Sequence, residues 1–524
     1  MTNRSCRRVN DVNGARATRR EWLGLAVIAL PCLLYSMDLT VLNLAVPRLS
    51  ADLQPSSVQL LWIVDIYGFM LAGSLVTMGT IGDRIGRRKL LLIGAAAFGG
   101  ASVLTAFSTS AVQLIVARGL LGVAAATLAP STLSLIRNMF KDVRQRTTAI
   151  AIWVASFSAG AAIGPVVGGA LLEHFWWGSV FLVAVPVMVL LLILGPALLP
   201  EFRNPEAGRL DPMSAAFSIV AVLAVIYGLK QIAQDGVGRW SVLAILGGIG
   251  VAWVFVRRQL ALTDPLIDLG LFREGVFTTA LAVNVIDFFI GFGIFLFIAQ
   301  YLQSVLGLSP LHAGFWTVPL AVGNIVGSML TPVFVRRVRP AFVMAGGLVL
   351  AAIGFAVVTQ IHGASDLPIL VTGSVLFSVG LAPLTTVSTD IMVGVAPPER
   401  AGVASSILET SSELGGALGI AVLGSIGTAM YRGHVAAAMP VAVPGTAAHA
   451  ALSTLAGAAT VAAQLPDPLR LEVLRVAREA FTHALALVSA VSATVALATA
   501  IVAAVLLRHV DQRDASESIP GRAQ

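Results

Sequence analysis

Residues 79–89 read GTIGDRIGRRK and separate two apolar runs of the chain, 59–81 and 89–108. Glycines stand in this stretch where two helices would pack closely and where the chain would turn. A solvated basic loop would need the charged residues but none of the glycines. We therefore expect this turn to act as a gate or structural switch between helices. The residues concerned are Gly79, Gly82, Asp83, Arg84, Gly86, Arg87 and Arg88.

The composition of the chain places this turn in a membrane protein. Of 524 residues, 57% are hydrophobic and 12% are charged, and the mean hydropathy is +0.88. The charged share is about half of the roughly 25% that is usual for soluble domains. Soluble multidomain, disordered and nucleic-acid-binding chains are therefore excluded, and a polytopic helical membrane protein is predicted.

Fourteen apolar runs are long enough to cross a hydrocarbon core of about 30 Å as helices. They are 22–47, 59–81, 89–108, 111–136, 148–172, 178–200, 213–232, 241–260, 275–302, 311–335, 341–361, 367–394, 402–430 and 484–507. Most of the 34 Lys and Arg residues fall in segments on the same side as the N-terminus, so both termini are predicted to be cytoplasmic. The first run is too long for the core of a signal peptide and is expected to be retained.

Two charged breaks divide the runs into six, two and six, the pattern expected when two six-helix halves gain a helical insert. The predicted parts are a cytoplasmic tail at 1–21, a first half at 22–200, a two-helix insert with its linkers at 201–274, a second half at 275–507 that includes an extracellular loop at 431–483, and a cytoplasmic tail at 508–524. Within the loop, residues 469–481 have helical spacing. We expect a short surface helix there, which serves as a lid or a substrate-selecting element.

Charged residues inside the apolar runs cost at least about 2.5–3.5 kcal/mol each on insertion scales and therefore point to function. Arg118, in LIVARGLLG at 114–122, is expected to face a wet cavity or a partner acid. Asp38 lies in the first run, and Asp65 lies in the second, three residues after Trp62. An acid flanked by aromatic rings suits a lipophilic cation, through charge and cation–π contact.

Three further acids lie in the second half. Asp287 stands beside Phe288, so an acid and an aromatic ring are again combined. Glu409 and Glu413 are four residues apart and share a helix face, so their charges repel, and the pair is predicted to exchange a proton near neutral pH. One buried carboxylate could serve only to join helices, but the set favours a pathway for protons or cations.

A further motif, GAAIGPVVGG at 160–169, combines small residues with a proline. Glycine at every fourth position gives a smooth helix face, and the proline removes a backbone donor and bends the helix. We expect a helix that packs tightly and pivots. The residues are Gly160, Gly164, Pro165, Gly168 and Gly169.

Several chemistries leave no signal in the sequence. It contains no GxxxxGK[ST] phosphate loop, so ATP is not expected to drive the protein and no cofactor is predicted. It contains neither a Cys/His spacing for a metal nor a Ser/His/Asp arrangement in a soluble site, so an enzyme is not expected.

Together these motifs resemble the major facilitator superfamily, and within it the fourteen-helix drug:proton antiporters, which include bacterial, some of them actinobacterial, exporters of quaternary ammonium compounds and dyes. GTIGDRIGRRK resembles the signature between the second and third helices, LIVARGLLG that of the fourth helix, and GAAIGPVVGG that of the fifth helix of antiporters. MDLTVLNLAVP at 37–47 resembles the first-helix signature of the fourteen-helix branch. The resemblance extends over residues 20–507.

The resemblance implies an all-α major facilitator fold with two six-helix halves around a central cavity, and it adds roles to residues already singled out. Proton coupling falls to Asp38, Arg118 and Glu413; substrate binding to Asp65, Glu409, Trp62, Asp287, Asn324 and Phe288; and the inner gate to Asp83 with Arg87 and Arg88. Asn324 stands where some relatives carry an acid, which implies a preference for monovalent over divalent cations.

The expected function is a proton-coupled multidrug efflux antiporter in the bacterial inner membrane, which exports lipophilic cations such as ethidium and quaternary ammonium compounds. Its partners would be these cations, protons and the bilayer, without nucleic acid, and it would work as a monomer. One alternative is a dedicated exporter of a single antibiotic or metabolite. The other is a receptor or scaffold without transport, although a scaffold would shed charges that are costly in lipid.

Overall fold

The computed structural model describes residues 16–55, 57–203, 211–235, 237–262, 265, 269–363, 366–396, 401–440, 443, 451–452 and 455–507. All regular elements in these ranges are helices, so the predicted all-α fold is confirmed there. Most of the two predicted tails, 1–21 and 508–524, lies outside the described residues.

The helices follow one another with short connections. The first eight are α1 (Arg19–Leu53), α2 (Ser57–Ile85), α3 (Arg87–Ala106), α4 (Ala111–Ala125), α5 (Leu128–Met139), α6 (Val143–His174), α7 (Ser179–Leu182) and α8 (Ala184–Leu198). The next two are α9 (Pro212–Asp235) and α10 (Arg239–Ala261). The remainder are α11 (Gly275–Gln300), which continues as a π-helical turn over Tyr301–Val305, α12 (Pro310–Val335), α13 (Pro340–Val358), α14 (Leu367–Val395), α15 (Ala401–Ala438), α16 (Leu455–Ala462) and α17 (Asp467–Leu506).

Twelve helices in the described ranges are long and apolar enough to cross a membrane. Each of the fourteen predicted runs lies on a helix or on a consecutive pair of helices. The two runs beyond the twelve lie on α2, which has 29 residues, and on α9, which has 24. A count of fourteen spans and the cytoplasmic position of the termini therefore remain predictions.

The helices form two bundles that meet along long seams. In the first, α1 packs on α6 and α2 on α4; in the second, α11 packs on α15 and α13 on α14. The seams between the bundles are α6 against α12 and α2 against α15, with α5 and α6 also touching α14. Helix α9 packs on both α2 and α15, and α10 packs on α9, so the inserted pair lies beside the α2–α15 seam.

A polar contact ties the two inserted helices together at one end. The Asp211 carboxylate accepts hydrogen bonds from the Arg258 guanidinium at 2.7 Å and from the Ser214 hydroxyl at 2.7 Å. These bonds hold the pKa of Asp211 well below its ordinary range. The start of α9 and the end of α10 are thereby joined.

The segment 431–483 differs from the prediction. Helix α15 extends to Ala438, and α17 begins at Asp467 and runs without a break for 40 residues. The expected short surface helix at 469–481 is therefore wrong as a separate element, because it is the first part of α17. The buried positions Val473, Ala477, Ala480 and Ala484 show that one packed face continues in phase through both parts.

We use the term arginine-rich end for the end of the bundle that holds residues 84–89 and 137–146 and the start of α15. The positive-inside rule places this end in the cytoplasm. A cysteine at Arg337, between α12 and α13, is then expected to react with a membrane-impermeant maleimide only in inverted vesicles.

The matched variant, Glu472→Cys near the start of α17, should react only in intact cells. Both reactions are measured in a background without Cys6 and Cys32. The reverse pattern would overturn the predicted orientation.

Candidate functional site

The first predicted pair of charges meets inside the first bundle. The Arg118 guanidinium, on α4 and 1% exposed, donates through Nη1 to Asp38 Oδ2 of α1 at 3.3 Å. Its Nε donates to the backbone carbonyl of Ile63 on α2 at 2.8 Å. The guanidinium also lies over the ring of Tyr67, 5.1 Å from its centroid. One arginine thus joins three helices, and its charge is balanced by one carboxylate.

This pair is connected to a carboxylate of the second bundle. Glu413, on α15, accepts a hydrogen bond from the Tyr35 hydroxyl of α1 at 3.3 Å. Tyr67 lies close enough to Asp38, Arg118 and Glu413 to interact electrostatically with all three. Its hydroxyl is buried without a hydrogen-bond partner in the structure. The two tyrosines therefore stand where a proton path from Asp38 to Glu413 would need hydroxyl groups.

The sequence interpretation did not single out either tyrosine. A signal was present, because Tyr35 precedes Asp38 by three residues and so shares its helix face. Glu409, one turn before Glu413, also interacts electrostatically with Tyr35. The structure therefore brings Asp38, Arg118, Glu409 and Glu413 into one neighbourhood.

The other predicted substrate residues are spread more widely. Trp62 is 41% exposed and packs edge-to-face on Phe69, one helix turn beyond Asp65. The side chain of Asp65 lies outside the described part of the structure. Asn324, on α12, accepts a hydrogen bond from Ser158 of α6 at 2.7 Å and so joins the two bundles near their middle.

Asp287 and Phe288 point in different directions from α11. The Asp287 carboxylate accepts a hydrogen bond from Thr385 of α14 at 2.5 Å. Phe288 lies against Gly415 of α15 and stacks on Phe292. The aromatic wall that the sequence placed beside this acid is therefore turned away from it, because consecutive helical residues are about 100° apart.

At the arginine-rich end, the predicted gate touches the second bundle. Asp83 pairs with Arg87, which is fully buried, and the Asp83 carboxylate also accepts backbone hydrogen bonds from Gly402 and Val403. These two N–H groups are at the start of α15, where the helix dipole favours a negative charge. A side chain at Gly79 or at Gly402 would collide with Ser406 or with the Arg87 guanidinium, respectively.

The neighbouring arginines have a different position. Gly86 turns the chain with φ +111°, a conformation that favours glycine. Arg88 then lies beside Glu201 at 3.5 Å and donates to the carbonyls of Pro196 and Leu199 at the end of α8. Its predicted place in the gate beside Asp83 is therefore wrong, because its side chain is held within its own bundle. Arg84 is half-buried at the end of α2.

A second connection between the bundles lies at the same end. Arg146, on α6 and 2% exposed, pairs with Asp390 of α14 at 2.7 Å, and Thr147 donates to the other carboxylate oxygen at 2.6 Å. Arg137 donates to the carbonyls of Val393 and Gly394 at the end of α14. The sequence interpretation used both arginines only as orientation signals, since nothing in their spacing tells a lipid-facing arginine from one that reaches another bundle.

The glycines of α6 are in close contacts. A side chain at Gly160 would overlap the backbone at Leu33 of α1, and Gly168 faces Val41 of the same helix. Gly169 faces Leu311 of α12, and Gly164 is buried. The side chain of Pro165 lies outside the described part.

Comparison with known proteins defines the class of protein. The model of the Major Facilitator Superfamily matches residues 28–420. The chain therefore belongs to the major facilitator superfamily, and it is a transporter of the bacterial inner membrane rather than an enzyme.

Particular relatives cover nearly the whole chain. It is 44% identical over 494 residues to the multidrug efflux pump LfrA of Mycolicibacterium smegmatis, which covers 94% of this chain and 98% of that protein. It is 35% identical to the methyl viologen resistance protein SmvA of Salmonella typhimurium, over 91% of this chain and 97% of that protein. It is 30% identical to the tetracenomycin C resistance and export protein of Streptomyces glaucescens, over 96% and 94%.

Two solved structures share the fold. The human organic anion transporter MFSD10 has a TM-score of 0.57 at 17% identity and covers 78% of this chain and 93% of its own. A bacterial homolog of the human lysosomal transporter Spinster has a TM-score of 0.53 at 17% identity and covers 92% and 97%.

The buried Arg146–Asp390 pair yields a prediction for stability. Arg146→Met leaves the Asp390 charge enclosed without its cation and is expected to lower the free energy of unfolding by roughly 3–5 kcal/mol. The measurement is chemical unfolding of the purified protein. The matched control, Arg475→Met, removes an exposed pair with Glu479 and should cost less than about 1 kcal/mol. Equal losses in the two variants would contradict the role of Arg146.

Proposed function

We propose that the protein is a proton-coupled efflux transporter for lipophilic cationic drugs, without a cofactor and with the monomer as its working unit. The observation that carries the proposal is the buried Asp38–Arg118 pair, which adjoins Tyr67 and, through it, Glu413 of the other bundle. An ion pair enclosed in a membrane bundle is costly, and such groups mark paths for protons and ions.

The geometry supports a simple exchange. A proton that binds to Asp38 removes the negative charge opposite Arg118, so the guanidinium keeps only the Ile63 carbonyl and the ring of Tyr67. The electrostatic balance at Glu409 and Glu413 changes with it. These carboxylates attract a substrate cation when they are ionised and release it when they are protonated. Proton uptake and cation release are thus linked as differential binding to two states.

Alternating access requires the bundles to separate at one end while they close at the other. The contacts of Asp83 with the start of α15, together with the Arg146–Asp390 pair, join the bundles at the arginine-rich end. They stabilise the arrangement in which this end is closed. Breaking them would open a path from the cytoplasmic side to Glu409 and Glu413.

The class of substrate is supported by the relatives and by the charges. LfrA is a multidrug efflux pump, and SmvA confers resistance to methyl viologen, an aromatic dication. Asp65 with the exposed ring of Trp62 adds an acid and an aromatic surface on α2. We propose aromatic and quaternary ammonium cations as substrates, and the neutral Asn324 favours monovalent ones.

A dedicated exporter of one antibiotic is the second candidate. The observation that favours it is the 30% identity with the tetracenomycin C resistance and export protein, together with 33% identity with the puromycin resistance protein of Streptomyces alboniger. The same ion pair and gate would serve that function, so only the range of substrates separates the two candidates.

The proposal predicts uptake into inverted vesicles. When an inward-acid proton gradient is imposed, ethidium should accumulate, and an uncoupler should abolish accumulation. Ethidium should be transported in preference to the divalent methyl viologen. Binding without accumulation would contradict transport and favour a receptor. Transport of one antibiotic alone would favour the dedicated exporter.

The coupling role of Asp38 predicts the effect of a conservative substitution. Asp38→Asn keeps the shape of the side chain but cannot exchange a proton, so uncoupler-sensitive accumulation should fall at least about a hundredfold, as when a proton-transfer group is removed. The control is Asp52→Asn on the same helix, where the carboxylate accepts a hydrogen bond from Trp177. Wild-type transport by a folded Asp38→Asn protein would exclude the role.

A further inference from the structure

Asp287 is enclosed in the second bundle without a neighbouring cation. The residue is 5% exposed, and Thr385 of α14 donates a hydrogen bond to Oδ2 at 2.5 Å. Among the described residues, no lysine, arginine or histidine pairs with this carboxylate. Its chemical setting therefore differs from that of the Asp38 carboxylate, which has Arg118 beside it.

The helices around Asp287 supply no compensating charge. On α14, Asp390 lies five residues beyond Thr385 and is paired with Arg146. On α15, Glu413 accepts its hydrogen bond from Tyr35 on the opposite side, and Glu409 is negative as well. Helix α17, which also packs on α11, carries no charged residue from 484 to 506. An isolated carboxylate in such a place is neutralised by a proton rather than left ionised.

A polar cluster next to Asp287 connects it to the packing of three helices. Asn284, one turn earlier on α11 and fully buried, donates to the hydroxyls of Ser411 and Ser412 on α15, each at 2.9 Å. Ser388 of α14 donates to its side-chain oxygen at 3.5 Å. Loss of the proton would place a charge beside these contacts, so the packing of α11 against α14 and α15 depends on the state of Asp287.

The two halves offer a comparison. Asp38 is on the first helix of its half and contacts the fourth apolar run through Arg118. Asp287 is on the first helix of the second half and contacts the fourth through Thr385. The arginine balances an ionised acid, whereas the threonine hydroxyl supplies one hydrogen bond and no charge. The same juxtaposition thus suits two carboxylates that differ in charge.

We infer that Asp287 is a second proton-binding site of the transporter, separate from Asp38–Arg118 and located in the second half. This inference rests on the proposed proton-coupled function. One O–H bond forms on the carboxylate when a proton arrives from the water on one side of the membrane. The same bond breaks when α11 shifts against α14 and the proton leaves to the other side. Each cycle then moves one proton more than Asp38 alone would carry.

Proton number can be measured in proteoliposomes with the membrane potential clamped at zero. For a monovalent dye such as ethidium, each coupled proton then multiplies the limiting accumulation ratio by about ten for every unit of pH gradient. Asp287→Asn should lower that ratio about tenfold at a gradient of one unit. The control Asp467→Asn, an exposed acid at the start of α17, should leave it unchanged.

Thr385→Val provides a stricter comparison, because it removes the hydrogen bond but keeps the acid. It should retain the wild-type accumulation ratio. An unchanged ratio in Asp287→Asn, or an equal fall in Thr385→Val, would overturn the inference. So would weaker dye binding in Asp287→Asn at an unchanged proton number, which would make Asp287 a substrate contact. Failure of the proposed function has a different signature, since wild type itself would then show no uncoupler-sensitive accumulation.

Infrared spectroscopy of the purified protein tests the site without transport. Wild type should show the C=O stretching band of a protonated carboxyl group, and Asp287→Asn should lack it. If Asp287→Asn does not fold, Thr385→Val still decides, because loss of the donor should move the same band to higher frequency. Absence of a band that responds to either variant would mean that Asp287 is ionised and would overturn the inference.

Discussion

The ion pair between Asp38 and Arg118 is the interaction on which the interior of this transporter depends. A guanidinium that is 1% exposed requires a carboxylate and further acceptors, and α1 and α2 supply them through Asp38 and the Ile63 carbonyl. The position of α4 is thereby tied to two other helices. Since Tyr67 and Tyr35 lie between this pair and the acids of α15, any change of charge at Asp38 acts on both bundles at once.

The remaining charges are arranged by the same cost. Where two bundles meet at the arginine-rich end, Asp83 and Asp390 are each paired with an arginine and reached by donors that belong to a different helix. Separating the bundles breaks these contacts, so they hold one conformation without fixing it permanently. In the second bundle, Asp287 is met by a hydroxyl instead of a cation. The distribution of partners therefore distinguishes carboxylates that are balanced by arginine from one that is not.

Much of the fold was predictable because a bilayer allows few solutions. Runs of apolar residues about twenty long must become helices, and every predicted run lies on one. The gate at 79–89 was predictable from its glycines and charges, and so was a partner acid for Arg118. The separate helix at 469–481 was not, since its end depends on whether α17 finds packing partners beyond the membrane run, which periodicity does not reveal. Arg88 shows the same limit, because its partners at the end of α8 are more than a hundred residues away.

By itself, the sequence determined that the chain is a helical membrane transporter, that its arginines mark one side, and that a few acids inside the apolar runs deserve a function. These conclusions follow from the cost of polar groups in lipid, which acts on every residue regardless of its neighbours. Only the tertiary structure decided which charges meet. It joined Arg146 to Asp390 across the bundles, placed two tyrosines between Asp38 and Glu413, and separated Asp287 from its aromatic neighbours. Those pairings depend on helix rotation and packing over large sequence distances, and local spacing carries no information about either.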